Sequence, residues 1–224
     1  MKNIRKLVYT AMLVTLAISI DVLVSIIPGL NLSMPFGGRF FGISMIPLVF
    51  IGLNFGLKYG LMGCFIYAMY NFGSDYIIYL DTLRVTLESW TGETWSFFKI
   101  VLLFLLDYGI PFTAFGLSGL FFNIKGNTKK IILSFSFVSL VSLISSSLSG
   151  ILLWSSSIRY AVSSVEEGLM EPNLATRIFE FVGNDVYFYS FIYNFSYLIT
   201  TFVVSILLAS LISKRLPKIV NVDQ

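Results

Sequence analysis

The sequence predicts an all-α membrane protein: six transmembrane helices, both termini cytoplasmic, and long outer loops. Three observations lead there. Hydrophobic residues make up 56% of the 224 positions and charged residues only 12%, against about 25% charged in an ordinary soluble domain. The mean hydropathy is +0.85. The apolar residues also gather into six runs, each near the roughly 20 residues a helix needs to cross a hydrocarbon core. An aromatic content of 17% excludes intrinsic disorder.

The first run, Leu7–Pro28, follows Lys2, Arg5 and Lys6. It is too long for the apolar part of a signal peptide, and no small-residue cleavage site follows, so it reads as a retained helix. The second run, Phe40–Leu57, contains Pro47, which is expected to kink it. The third, Tyr59–Leu80, is divided from the second only by Asn54, Gly56, Lys58 and Gly60, which predicts a tight turn. Gly52, Gly56, Gly60 and Gly63 suit close helix packing in lipid. The remaining runs are Trp95–Phe122, Ile131–Trp154 and Tyr187–Ile212. The whole chain, 1–224, reads as one integral membrane domain.

Three connections are long and fall on one side: Gly29–Arg39, Asp81–Thr94 and Ser155–Val186. Within the last, Leu174–Val182 is expected to form a short surface helix. Long loops gathered on one face suggest a lid over an outward-opening site, solvated connectors being the alternative. No internal repeat is visible, so an inverted-repeat carrier is not supported.

Orientation follows from the basic residues. With the termini inside, Lys2, Arg5, Lys6, Lys58, Lys125, Lys129, Lys130, Lys214, Arg215 and Lys218 lie inside, and Arg39, Arg84, Lys99, Arg159 and Arg177 outside. The acidic residues are almost all outside or within spans, Asp223 being clearly inside. That asymmetry favours cytoplasmic termini.

Composition also limits the chemistry. There is no histidine and one cysteine, Cys64. His-ligated metal, Ser-His and Cys-His catalysis and an internal disulfide are excluded. No cofactor or metal site is expected. The net charge of +3 is spread over short clusters and gives no sign of a nucleic-acid partner.

Polar groups deep in a span are the informative ones, because lipid penalises them. Asp107 lies 12 positions after Trp95, roughly 18 Å along a helix. A carboxylate there needs a cation, hydrogen-bond donors or a wet cavity. No Lys or Arg sits mid-span elsewhere, so a cation from outside the chain is an attractive partner; a protonated Asp between helices is the alternative. Asp21 lies nearer the outer edge and reads equally as functional or as reaching water. Asp75 reads as solvated.

In the last run Tyr189, Tyr193 and Tyr197 share one helix face, with Asn194 beside it. Such a stripe either lines a pocket, where rings stack on a flat ligand and Asn194 supplies donor and acceptor, or forms a polar seam between helices. Trp154 sits at an outer helix end. The serine run Ser139, Ser142, Ser145, Ser146, Ser147 and Ser149 suits close packing. Ala11, Thr15 and Ser19, four apart, form a small-residue groove for another helix, in this chain or in a partner.

Taken together, the small-residue face of the first run, the stretch GGRFFGISMIPLVFIGLNFGLKYGLMGCFIY, the segment DYGIPFTAFGLSGLFF and YSFIYNFSYL resemble the substrate-binding S-components of energy-coupling-factor (ECF) transporters, most closely the thiamine-specific members. The resemblance covers most of the six runs. It implies a vitamin-binding subunit without its own ATPase that captures vitamin at the outer face. It also implies docking, through the Ala11–Thr15–Ser19 face, to a transmembrane coupling subunit and two cytoplasmic ABC ATPases. The loaded subunit is then thought to topple in the membrane and release the vitamin inside. The family's Glu-Tyr pair appears as Asp107-Tyr108, its aromatic residue at the fifth span's end as Trp154, and its Tyr-x-x-x-x-Asn as Tyr189 and Asn194. Ser146 stands where the family carries a pocket His, and Arg159 stands near an expected loop Trp. On this basis Asp107 would neutralise or hydrogen-bond the thiazolium or aminopyrimidine of thiamine, and Trp154 and Tyr108 would stack on its rings. Another vitamin or precursor (hydroxymethylpyrimidine, riboflavin, folate) remains open as the ligand. An intramembrane enzyme is the competing class, but no paired-aspartate motif surrounds Asp21 and Asp107. A self-sufficient carrier or channel would need ion-coupling charges in several spans, which the sequence lacks.

Overall fold

The computed structural model describes residues 2–77, 79–122 and 128–213. These form α1 (Lys2–Ile26), α2 (Met45–Phe55), α3 (Leu57–Phe72), α4 (Leu80–Thr91), α5 (Phe97–Phe121), α6 (Thr128–Leu152), α7 (Ser155–Glu166), α8 (Leu174–Phe181) and α9 (Val186–Ser213). Among the described residues the only β-type pairing is an isolated bridge between Ser33 and Arg39. Within the charge count used for orientation, Lys125, Lys214, Arg215, Lys218 and Asp223 lie outside the described residues.

Among the described residues, four helices are long and apolar enough to cross a membrane: α1, α5, α6 and α9. The second expected run is shorter than its apolar stretch. Its 11 helical residues span only about 16 Å, because Phe40–Ile43 belong to the preceding loop. Gly56, with φ +89°, ends α2 and starts α3 at a single residue. Nearly every α2 residue is buried inside the protein, so its length is set by its neighbours rather than by bilayer thickness. Pro47 does not kink α2. It lies in the first turn, where no intrahelical N–H bond is required. The third run ends early as a helix: after α3 the chain takes a wide π turn over Gly73–Ile77, and Leu80 starts α4. The expected loop Asp81–Thr94 is therefore largely α4, and Ser155–Val186 is mostly α7 and α8.

The expected glycine packing is present and extends into α5. An added Cβ at Gly116 would stand 2.4 Å from the Gly60 carbonyl carbon, and one at Gly119 would stand 2.4 Å from the Leu57 backbone. Gly52 meets Ser118 and Gly119 as closely. Three backbones thus touch at the end of the bundle away from the long loops, where Ser118 Oγ also donates to the Val49 carbonyl at 2.8 Å.

Along α6, Ile131, Phe135, Val138, Ser142, Ser145 and Ser149 recur every three or four residues and are buried. Leu133, Leu140, Ile144 and Leu148 face outward. Serines inside and leucines outside is the arrangement a lipid solvent selects. On α1, Val14 and Ala17 pack inward, whereas Ala11, Thr15 and Ser19 are exposed and unused within this chain.

Candidate ligand-binding cavity

The inward serines explain the shape of α5. Its π segment, Phe104–Gly109, has the Ile110 N–H bonding five residues back to Leu105. The Leu106 carbonyl would then look to residue 111, but Pro111 has no N–H. Ser145 Oγ supplies the missing donor at 2.8 Å, and Ser142 Oγ donates to the Pro111 carbonyl at 3.0 Å. This wide turn re-aims the side chains it carries, Asp107 and Tyr108, into a cavity of about 250 Å³.

Asp107 Oδ2 accepts from Trp154 Nε1 at 3.0 Å. Among the described residues no Lys or Arg forms an ion pair with it. Trp95, the reference for the depth of Asp107, is buried beside Leu87, Leu103, Leu153 and Trp154, its ring 5.9 Å from that of Trp154. Close by, Lys99 Nζ lies 2.7 Å from Glu93 Oε2, and Ser156 also donates to Glu93. Both contacts hold the Glu93 carboxyl below its usual range; Lys99 ties the loop after α4 to α5 and Ser156 ties it to α7.

The wide turn after α3 builds the adjoining wall. It carries Asp75 and Tyr76, both lining the cavity. Tyr108 donates to Asp75 Oδ2 at 3.2 Å, and its ring meets Phe72, Tyr76 and Phe112 edge-on. Asp75 is exposed, in keeping with the solvated reading, yet it also edges the cavity. The sequence reading missed Asp75 and Tyr76 as site residues. A signal was available: the dipeptide Asp-Tyr occurs twice, at Asp75-Tyr76 and Asp107-Tyr108, each time on a π turn.

The α9 stripe forms a third wall. Tyr189, Tyr193 and Tyr197 line the cavity, with Tyr189 under Phe179 of α8. Asn194 lines it too, but its amide is engaged within the protein. Nδ2 donates to the Ser190 carbonyl at 2.8 Å and the Ser146 carbonyl at 3.3 Å, and Oδ1 accepts from Tyr197 at 2.8 Å. The helix-seam reading fits Asn194 better than a free donor–acceptor pair. Ser146 lines the cavity, whereas Arg159 is exposed on α7 and does not. All eight residues expected at the ligand (Asp107, Tyr108, Ser146, Trp154, Tyr189, Tyr193, Asn194 and Tyr197) therefore meet at one cavity.

The loop between α1 and α2 roofs it. The Phe36 N–H donates to Tyr193 Oη at 2.8 Å, and Tyr193 donates to the Gly37 carbonyl at 3.1 Å. The Gly42 N–H donates to Thr201 Oγ1 at 3.1 Å. Gly38, at φ +93°, lies so close to the Tyr197 ring that a Cβ would stand 2.6 Å from it. The long loop is thus a lid latched to α9. Tyr193→Phe removes one of its fasteners, and we expect the Phe36 amide to exchange with solvent about tenfold faster, matching the loss of roughly one net hydrogen bond. Unchanged exchange would mean that Tyr193 does not hold the lid.

The chain matches no known family model. It is 26% identical over 224 residues to the thiamine transporter ThiT of Bacillus subtilis (strain 168), covering 100% of this chain and 97% of that protein. The resemblance to the thiamine-specific family is borne out by this relative. With its four long apolar helices, the chain is a multi-pass membrane protein.

Proposed function

We propose that this protein is the vitamin-capturing S-component of an ECF-type importer, with thiamine as its ligand. The single observation that carries the reading is the lidded cavity, in which an acid without an ion-pair partner, Asp107, lies among Trp154 and the tyrosines. Thiamine offers a cationic thiazolium for the carboxylate and a flat aminopyrimidine for the rings. Capture needs no covalent step, so the protein acts as a binding subunit and not as an enzyme.

In this reading the chain is one integral domain that crosses the bilayer six times with cytoplasmic termini. The short α2 and α3 serve as a hairpin in which α2 is enclosed by the other helices and α3 turns Phe65, Ile66 and Met69 to the lipid. The lid faces outward. The exposed Ala11, Thr15 and Ser19 of α1 meet the coupling subunit, which two cytoplasmic ABC ATPases drive. Small residues let another helix backbone approach closely. Ala11→Trp is therefore expected to abolish co-purification with the coupling module while leaving vitamin binding intact. Loss of both would mean that this face packs internally.

Mass spectrometry of the small molecule that co-purifies with the protein tests the ligand. Thiamine is the expected result. Recovery of an uncharged pyrimidine precursor would support a second reading, motivated by Ser146 at the place of the family's pocket His. Recovery of riboflavin or folate would overturn both.

A further inference from the structure

A second polar cluster, which shares no hydrogen bond with Asp107, lines the same cavity. Asp21 of α1 accepts a hydrogen bond from Tyr67 on α3, and the Tyr67 hydroxyl also lies 3.0 Å from Ser44 Oγ at the start of α2. The Tyr67 bond goes to Oδ2. Oδ1 faces Arg39 of the lid, with Nη1 3.9 Å away, an ion-pair distance beyond hydrogen-bond reach. The Asp21 side chain is only 15% exposed. Asp21, Arg39, Ser44 and Tyr67 all line the cavity.

A carboxylate and a guanidinium side by side, not directly bonded, select by charge. An ammonium drawn to Asp21 is repelled by Arg39, and a phosphate drawn to Arg39 is repelled by Asp21. A neutral hydroxyl satisfies both, donating to Asp21 Oδ1 and accepting from Arg39 Nη1. We propose that Asp21 and Arg39 form a subsite for a primary alcohol of the ligand, making the protein selective for the free alcohol over its phosphate ester. This inference rests on the function proposed above, in which Asp107 serves the cationic body of the ligand and leaves its hydroxyethyl arm to be placed.

The test is titration calorimetry on the purified full chain with three probes: thiamine, an analogue whose hydroxyethyl arm is replaced by ethyl, and thiamine monophosphate. The wild type is expected to bind thiamine about tenfold more tightly than either other probe, the scale of one hydrogen bond to a charged group. Asp21→Asn should lower thiamine affinity about tenfold, leave the ethyl analogue within about twofold, and narrow the discrimination against the monophosphate. Arg39→Gln, on the half-exposed lid residue, should show the same loss for thiamine with the ethyl analogue unchanged, and it stands in if Asp21→Asn does not fold. Equal losses for thiamine and the ethyl analogue, or no loss for either, would overturn the subsite while leaving the proposed function standing. No thiamine binding by the wild type would overturn both.

Discussion

Gly116→Val is expected to leave no folded protein. The new Cβ alone would sit 2.4–2.5 Å from the carbonyl group of Gly60 and the amide nitrogen of Leu61. These are backbone atoms of a helix that cannot swing aside as a side-chain tip does. Moving α3 away from α5 would also open the contact of α2 with Ser118 and Gly119, since all three backbones meet there. Overpacking of an interior usually costs about 1–3 kcal/mol and occasionally more. Here the obstacle is main chain on both sides, so the cost belongs at or above the upper end. The measurement is the yield of monodisperse protein in detergent together with its thermal unfolding midpoint. Gly73→Ala is the control: its Cβ would meet nothing within 4 Å and its φ is negative, so stability should change by less than about 1 kcal/mol. A normal midpoint for Gly116→Val would mean that the helices are not in backbone contact.

Asp107→Asn is expected to weaken thiamine binding by about 1–3 kcal/mol, the range for a hydrogen bond to a charged group. The substitution is clean in this setting. An Asn oxygen can still accept from Trp154 Nε1, so the wall keeps its geometry while the negative charge goes. The loss should therefore fall on a cationic ligand and spare an uncharged pyrimidine. Calorimetry with both compounds separates the two. Unchanged thiamine affinity would remove Asp107 from the site.

Much of this arrangement was legible from residues alone. Runs of apolar side chains report solvent preference directly, so the four long helices stand out, and Tyr189, Tyr193 and Tyr197 could be placed on one face by spacing. The small-residue character of Gly52 and Gly60 marked the α2–α3 contact. Less was visible where the backbone departs from regular helix. The π turn that carries Asp107 is completed by a tertiary partner, Ser145, which satisfies a carbonyl left without a donor by Pro111. No local periodicity encodes that pairing. The extent of α2 was overread because hydropathy does not distinguish a lid residue such as Phe40 from a helical one.

The roof over the cavity is fastened by hydroxyls of one helix, α9, at Tyr193 and Thr201. Admission of a solute therefore requires a short stretch of chain to peel from α9, with Arg39 leaving Asp21 and Met34 leaving its packing against α7 and α8, while the glycine contacts at the far end stay closed. The hydrogen bonds broken in that opening count for about 0.5–1.5 kcal/mol each, and the backbone contacts of the far end are not among the interactions lost. Dwell time and structural endurance are thereby placed in separate hands: a hydroxyl gained or lost along α9 would retune how long a guest stays without altering how firmly the house stands.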